Sequence, residues 1–318
     1  MSVINVNDYS SPLDLLRGYW QKAEPYQRRM YWLAAILILS GLVHIIPLIL
    51  SGGELTGPVS FRKPVVFGIS TGISLAATTW VMHYMPTRQR LGAILNWAIA
   101  IGFYVEVILI DMQTWRGVPS HFNFSTAFDS AVFGTMGFFI NVVGLAILVL
   151  TVMSFIWLKG SPTIKWAIRI GLILLLVSQV FGNLIVSNGV PRSIDFETGE
   201  YAYNEAAPPS IYDLSGLMKL PHFFAMHGIQ TLPALALLMF FTGWDERRRM
   251  NTLLIAALGY IALTTIVTVQ VFRGLAPFDL DTVSLAMHLL SLVLIGLPFL
   301  LALPAAMRKL PQGIVATD

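Results

Sequence analysis

The feature that most constrains this chain is a set of eight apolar runs, each long enough to cross a bilayer. They fall at about 30–51, 63–85, 91–115, 130–158, 164–187, 216–243, 250–272 and 282–304. A helix needs about 20 apolar residues to cover the hydrocarbon of a membrane. In that medium every backbone N–H and C=O must be bonded within its own segment, so runs of this kind fold as helices. Composition agrees: 56% of the residues are hydrophobic and 12% are charged, where soluble chains carry about 25% charged residues. The expectation is an all-α integral membrane protein of eight transmembrane helices, surrounded by membrane lipids.

Basic residues set the orientation. Arg28 and Arg29 precede the first span, Arg88 and Arg90 join the second to the third, and Lys159, Lys165 and Arg169 join the fourth to the fifth. Arg247, Arg248 and Arg249 join the sixth to the seventh, and Arg308 and Lys309 follow the eighth. Eight spans put all five groups on one side, which the positive-inside rule makes cytoplasmic. The chain is thus expected N-in and C-in, multi-pass, in a plasma (inner) membrane. Used up as a topology signal, these residues give no support to nucleic-acid binding. Residues 1–29 are polar and lack the apolar stretch of a signal peptide. Within them Ser11-Pro12-Leu13-Asp14 reads as a helix start, and Tyr19 and Trp20 suit an interfacial helix.

The chain also repeats itself. Gln113-Thr114-Trp115-Arg116-Gly117 ends the third span and Gln270-Val271-Phe272-Arg273-Gly274 ends the seventh, at an offset of 157 residues. The same offset pairs Pro64 with Pro221 and Phe67 with Phe224. Leu48–Gly53 matches Leu184–Gly189 at an offset of 136, and the acidic loop 188–215 absorbs the difference. The organisation expected is a 4+4 parallel internal repeat. A cytoplasmic segment 1–29 leads into a first four-helix unit (30–160), then a second (161–304) and a tail (305–318). Copies with an even number of spans share one orientation, and sites in such proteins gather at or beside the interface between halves.

Ionisable groups inside a bilayer are costly, so each is a functional candidate. They are His44, Glu106, Asp111, His222, His227 and His288, and the hairpin after the third span adds Arg116, His121 and Asp129. At about 1.5 Å per residue, His44, His222 and His288 lie roughly 8–10 Å below the outer ends of their helices and His227 about 15 Å below. The polar chemistry is therefore expected in the outer leaflet. Glu106, Ile110 and Gln113 share a helix face that Asp111 does not, while His222 and His227 lie too far apart around their helix for a metal clamp. Asp111, Glu106 and His121 are the candidates for proton transfer, since carboxylates at a bilayer edge can acquire the raised pKa that this role needs. His222 and His288, at matching depth on helices of one half, suit the axial positions of a b-type haem, with His227 as the substitute. Arg116 and Arg273 suit either an anion such as a haem propionate or mere snorkelling to the interface. A divalent metal held by His44, His121, Asp111 and a sixth-span histidine is an alternative. Cysteine is absent, which removes disulfides, thiolate-ligated clusters and attached haem c.

Eight helices in two four-helix units, with histidines on spans six and eight near the outer surface, resemble the heme A synthase family. That resemblance implies a haem held by His222 (or His227) and His288. It also implies a substrate haem in the first half, but there the repeat sets Val65 opposite His222 and Phe138 opposite His288, so those ligands are missing. The function expected is a membrane redox or haem-handling protein, with a quinone or another membrane redox protein as partner. The alternatives are a metal-dependent membrane enzyme acting on a lipid-like substrate, and a transporter or binding protein without chemistry.

Overall fold

The computed structural model describes residues 6–53, 55, 59–193, 218–276 and 278–309. Among them there is no strand. The α-helices are α1 (Pro12–Lys22), α2 (Pro25–Val43), α3 (Ile45–Leu50), α4 (Arg62–Val81), α5 (Gln89–Trp115), α6 (Ala127–Trp157), α7 (Pro162–Ser193), α8 (Lys219–Phe240), α9 (Glu246–Phe272) and α10 (Thr282–Lys309). With α2 and α3 taken together, eight helices among the described residues are long and apolar enough to cross a membrane. Helix α7 runs on to Ser193, so the first residues of the acidic loop expected at 188–215 are helical. Residues 194–217 and 310–318 lie outside the described residues.

Local chemistry sets the helix ends. The Ser11 hydroxyl accepts from the Asp14 N–H at 3.1 Å, and Pro12 takes the first helical position, where no N–H is needed. Thr126 opens α6 by accepting from the Asp129 N–H at 3.0 Å, and Asp245 opens α9 by accepting from the Arg248 N–H at 2.7 Å. The first span breaks at His44, between α2 and α3, because Pro47 has no N–H to offer the Val43 carbonyl. Helices α5 and α9 end identically. Arg116 and Arg273 are their C-caps, followed by Gly117 at φ 70° and Gly274 at φ 71°. Val118 and Leu275 donate back to the Gln113 and Gln270 carbonyls, both at 3.1 Å. This is the Schellman ending, which needs the left-handed conformation that glycine takes without strain.

Helix α2 packs on α4 and α5, α4 on α5, and α5 on α6; likewise α7 packs on α8 and α9, α8 on α9 and α10, and α9 on α10. The two groups meet where α4 touches α8 and α6 touches α7. Each tight pair has its glycine. A Cβ on Gly68 would stand 2.7 Å from the Gly41 nitrogen, and one on Gly72 2.7 Å from the Ala34 oxygen. Gly171 is equally close to Ile229. A Cβ on Gly102 would meet Val143 at 2.3 Å, and one on Gly259 would meet Leu294 at 2.6 Å. Small residues let helices approach where no hydrophobic effect drives them together. The outside of the bundle carries large exposed apolar side chains along its length, among them Leu39, Leu145, Leu258 and Leu300; hydrocarbon, not water, suits such a coat.

At one end of the bundle arginines stack on aromatic rings. Arg88 lies 4.2 Å from the Trp157 ring centre and Arg248 4.1 Å from that of Trp244. Helix α1 packs there too: Tyr19 and Tyr84 share a 2.5 Å hydrogen bond, and Leu13, Leu16 and Trp20 stay exposed. The opposite end, where α5 finishes and α4, α6 and α8 start, holds the polar cluster described next.

Candidate functional site

The hairpin between α5 and α6 folds back into the bundle rather than standing above it. Ser120, Phe122 and Asn123 are buried. Asn123 holds the turn by donating to the Pro119 carbonyl at 3.2 Å and accepting from the Ser125 N–H at 3.1 Å. Asp129, buried on the first turn of α6, ties the hairpin down: it accepts from Gln113 and from Arg116, each at 2.8 Å, and from Thr126 at 2.6 Å. Arg116 also donates to Gln113. Phe122 is the one non-glycine among the described residues with a positive φ, 56°. A bulky residue keeps such a conformation only where its surroundings enforce it, and enforced strain gathers at functional sites.

What the inward fold delivers is His121. Its Nε2 lies 3.3 Å from Glu106 Oε1 and its Nδ1 3.0 Å from Ser120 Oγ, while Lys63 Nζ stands 3.5 Å from the same Ser120 oxygen. One arrangement of hydrogens satisfies the whole chain: Lys63 donates to Ser120, Ser120 to His121 Nδ1, and His121 Nε2–H to Glu106. A hydroxyl, an imidazole and a carboxylate in series form the nucleophile–base–orienter arrangement of acid–base enzymes. Glu106 is 5% exposed, and its Oε2 has no hydrogen-bond partner. Phe67, Phe122 and Phe133 surround the imidazole, with ring centres 5.8, 6.3 and 5.8 Å away. Phe122 and Phe133 belong to a small apolar cluster separate from the main core, and Phe67 packs against both.

The three carboxylate and imidazole groups expected to move protons are thus divided. Glu106 and His121 meet; Asp111 turns to α2, where Ser40 donates to it at 3.1 Å. Its neighbour His44 bonds the Ser40 carbonyl through Nδ1 at 2.8 Å and accepts from Trp115 Nε1–H at 3.0 Å. Among the described residues no three of His, Asp and Glu gather in a set that could hold a metal ion.

His222 bonds the Ser178 carbonyl of α7 at 2.7 Å through Nδ1, and His288 bonds the Ser284 carbonyl of its own helix at 2.7 Å in the same way. Each Nδ1 therefore carries the hydrogen, and Nε2 is left with the lone pair. His227 packs edge-on against Phe223, its Nε2 buried without a partner. Arg273 pairs with Asp281 at 3.5 Å on an exposed surface. Sequence reasoning missed the parts played by Ser120 and Lys63. The density of polar residues in the hairpin pointed to Ser120; for Lys63 the only signal was a lysine beside a proline at the mouth of a span.

Burial holds the His121 imidazole below its ordinary pKa, the Glu106 bond works against that, and the positive charge of Lys63 works with it. A histidine with a depressed folded pKa adds stability above its unfolded pKa of about 6.5, and this is lost as pH falls because the unfolded chain binds the proton more readily. The thermal midpoint of the detergent-solubilised protein is accordingly expected to drop on acidification from about pH 7.5 to about 5.5. His121→Asn should show a smaller drop. An identical drop in the variant would mean that other groups carry it all.

No family model, curated protein or solved structure matches this chain.

Proposed function

We propose that this protein is a membrane enzyme performing general acid–base chemistry on an amphiphilic, lipid-like substrate, with Glu106 and His121 as the acid–base pair. The observation that carries the proposal is the hydrogen-bonded chain Lys63–Ser120–His121–Glu106, which runs from the partly exposed Lys63 to a buried carboxylate oxygen without a partner. An unpaired carboxylate oxygen in a low-dielectric site is expensive, and it is the group a substrate hydrogen would satisfy. The phenylalanine wall beside it suits an acyl or isoprenoid carbon. His121, neutral and hydrogen-bonded on both nitrogens, can relay a proton between Ser120 and Glu106.

The orientation follows from the basic loops: the arginine-rich end faces the cytoplasm and the site opens to the other side. The chain is built from two parallel four-helix units. Supporting this, Gly102 and Gly259, the points of close approach in α5–α6 and α9–α10, stand at the same offset of 157 residues as the paired Schellman ends. The site belongs to the first unit, beside the α4–α8 contact between the two. At that offset Leu263 and Thr268 occupy the places of Glu106 and Asp111, so the second unit lacks the carboxylates.

The experiment is incubation of the purified protein with a total membrane lipid extract, followed by mass spectrometry. A species consumed by the wild type but not by Glu106→Gln or His121→Asn is the expected result. Lipid profiles that stay the same with all three proteins would overturn the proposal.

A second reading, haem binding by His222 and His288 with the fold of the heme A synthase family, is favoured by one observation. Metal-bound histidines normally donate their other N–H to a backbone carbonyl, and both do so here. A haem there would supply electron transfer, and His222 and His288 would be the residues to hold its iron. Optical spectra of the oxidised and reduced protein decide it. A Soret band lost in His222→Ala or His288→Ala would establish this reading, and a protein still colourless after haem is supplied during expression would remove it.

A further inference from the structure

We propose that α1 and the start of α2 form a binding surface for anionic phospholipid in the leaflet at the arginine-rich end of the bundle. The exposed apolar face of α1 enters the boundary between headgroups and acyl chains, and Arg28 and Arg29 take the headgroup phosphates.

Helix α1 has three faces. At about 100° per residue, Leu15, Gly18 and Tyr19 fall together, and they are buried against the bundle. Tyr19 bonds Tyr84 just past the end of α4 and packs edge-on against Trp80 and His83, with ring centres 5.9 and 5.1 Å away. Leu13, Leu16 and Trp20 form the second face, and all three are exposed. Asp14, Arg17 and Gln21 make a third, polar one. Tyr19 and Trp20, adjacent and both aromatic, thus part company: one docks, the other is left for something outside the protein. A helix with a docked, an apolar and a polar face suits the line where protein, hydrocarbon and water meet.

What covers the apolar face follows from its continuation. Trp20 meets Trp32 of α2 edge-on at 6.3 Å. From there Trp32, Ile36 and Leu39 run along one side of α2 at i, i+4 and i+7, all exposed. The face of α1 therefore joins the coat that the bundle turns to hydrocarbon, and it does so through two tryptophans, the residues that gather at the headgroup level.

Charge selects the kind of lipid. Between residues 11 and 29, Arg17, Lys22, Arg28 and Arg29 stand against Asp14 and Glu24, and Asp14 is engaged by Ser10, Ser11 and Arg17. Arg28 and Arg29 are exposed, and among the described residues no carboxylate pairs with either. Arg28 lies 5.8 Å from the centre of the Trp20 ring and gives one N–H to the Gln21 carbonyl at 3.1 Å. A guanidinium laid on an indole keeps its remaining edge N–H groups for acceptors, and its fork matches a phosphate. A zwitterionic headgroup carries an ammonium beside that phosphate; an anionic one offers the uncompensated charge that a basic surface attracts.

The chain has no cysteine, so single labels report on single positions. In the full-length protein a nitroxide is placed on Leu16→Cys, on Leu39→Cys as the hydrocarbon reference and on Gln21→Cys as the aqueous one, in nanodiscs of phosphatidylcholine with phosphatidylglycerol. The label on Leu16→Cys is expected to collide with dissolved oxygen in preference to a water-soluble nickel chelate, as that on Leu39→Cys does, while Gln21→Cys favours the chelate. Unfolding midpoints are then compared in nanodiscs with and without phosphatidylglycerol, the acyl chains being the same. A rise with phosphatidylglycerol is expected. It should be lost in Arg28→Gln/Arg29→Gln and retained in Arg28→Lys/Arg29→Lys and in Arg88→Gln, whose guanidinium lies over Trp157 at the same end. Chelate access at Leu16→Cys equal to that at Gln21→Cys would overturn the proposal by putting the face in water. Shielding from both reagents would overturn it by assigning the face to a protein partner. No rise, or a rise that Arg28→Gln/Arg29→Gln keeps, would overturn it by removing the anionic headgroup. The comparison is between rises, so a variant that is merely less stable still decides; if the double variant does not fold, Arg28→Gln alone takes its place.

Discussion

Gly68→Leu is expected to unfold this protein or lower its stability by about 2–3 kcal/mol, while Gly134→Leu is expected to be neutral or slightly stabilising. A Cβ at Gly68 would stand 2.7 Å from the Gly41 nitrogen and 2.8 Å from the Leu37 oxygen. These are backbone atoms of α2 and cannot swing aside as a side chain would. The two helices must separate, and because α4 also carries Lys63, Phe67 and the contact to α8, the strain reaches the candidate site. Gly134, by contrast, has nothing within 4 Å of its Cβ position and lies on an exposed face of α6. There leucine gains roughly 0.5–1 kcal/mol of helix propensity over glycine. Thermal unfolding in detergent compares the two. Equal destabilisation would mean that the α2–α4 approach tolerates expansion and that glycine is not what sets it.

The same contrast explains how much of the fold was legible in the sequence. Eight spans could be read from apolar length because the bilayer imposes a single requirement on each of them. Helix starts at Ser11 and Thr126 and the stops at Gly117 and Gly274 follow from short-range hydrogen bonding, which depends on neighbours in the chain. The close approach at Gly68 does not, because it depends on Gly41 and Leu37 of another helix, and glycine inside a span has several uses. The break at His44 was visible in principle through Pro47, but a proline in a membrane helix also occurs without a break.

For the site, periodicity separated Glu106 from Asp111 correctly, since Glu106 faces His121 and Asp111 faces Ser40. It could not say which loop residue would complete the pair. His121 reaches Glu106 only because the eleven residues between α5 and α6 turn inward, held by Asn123 and by the strained Phe122. No periodic signal exists in such a segment. The duplicated arginines were undecided between an anion anchor and an interface device, and their surroundings now separate them. Arg116 belongs to the buried network on Asp129 that pins the hairpin, and Arg273 to an exposed pair.

That difference carries the second large effect. Asp129→Ala is expected to cost about 2–4 kcal/mol and Asp281→Ala about 1 kcal/mol or less. The Asp129 side chain is 3% exposed, and its loss strands the Gln113 amide, which is itself fully buried. The partner Arg116 is 41% exposed and can turn to water, so the full penalty of an orphaned buried charge does not apply. Asp281 and Arg273 are both about half exposed, where ion pairs contribute roughly 0–1 kcal/mol; what Asp281→Ala removes is chiefly the helix cap accepting from Ser284 at 2.7 Å. Double-mutant cycles with Arg116→Ala and Arg273→Ala, read from unfolding in detergent, should give a clear coupling for the first pair and almost none for the second. Since Asp129 holds the hairpin that presents His121, Asp129→Ala should also lose the lipid turnover ascribed to Glu106 and His121, whereas Asp281→Ala should retain it. Equal coupling in both pairs would make the two arginines the same structural device repeated, and the hairpin would then need another anchor.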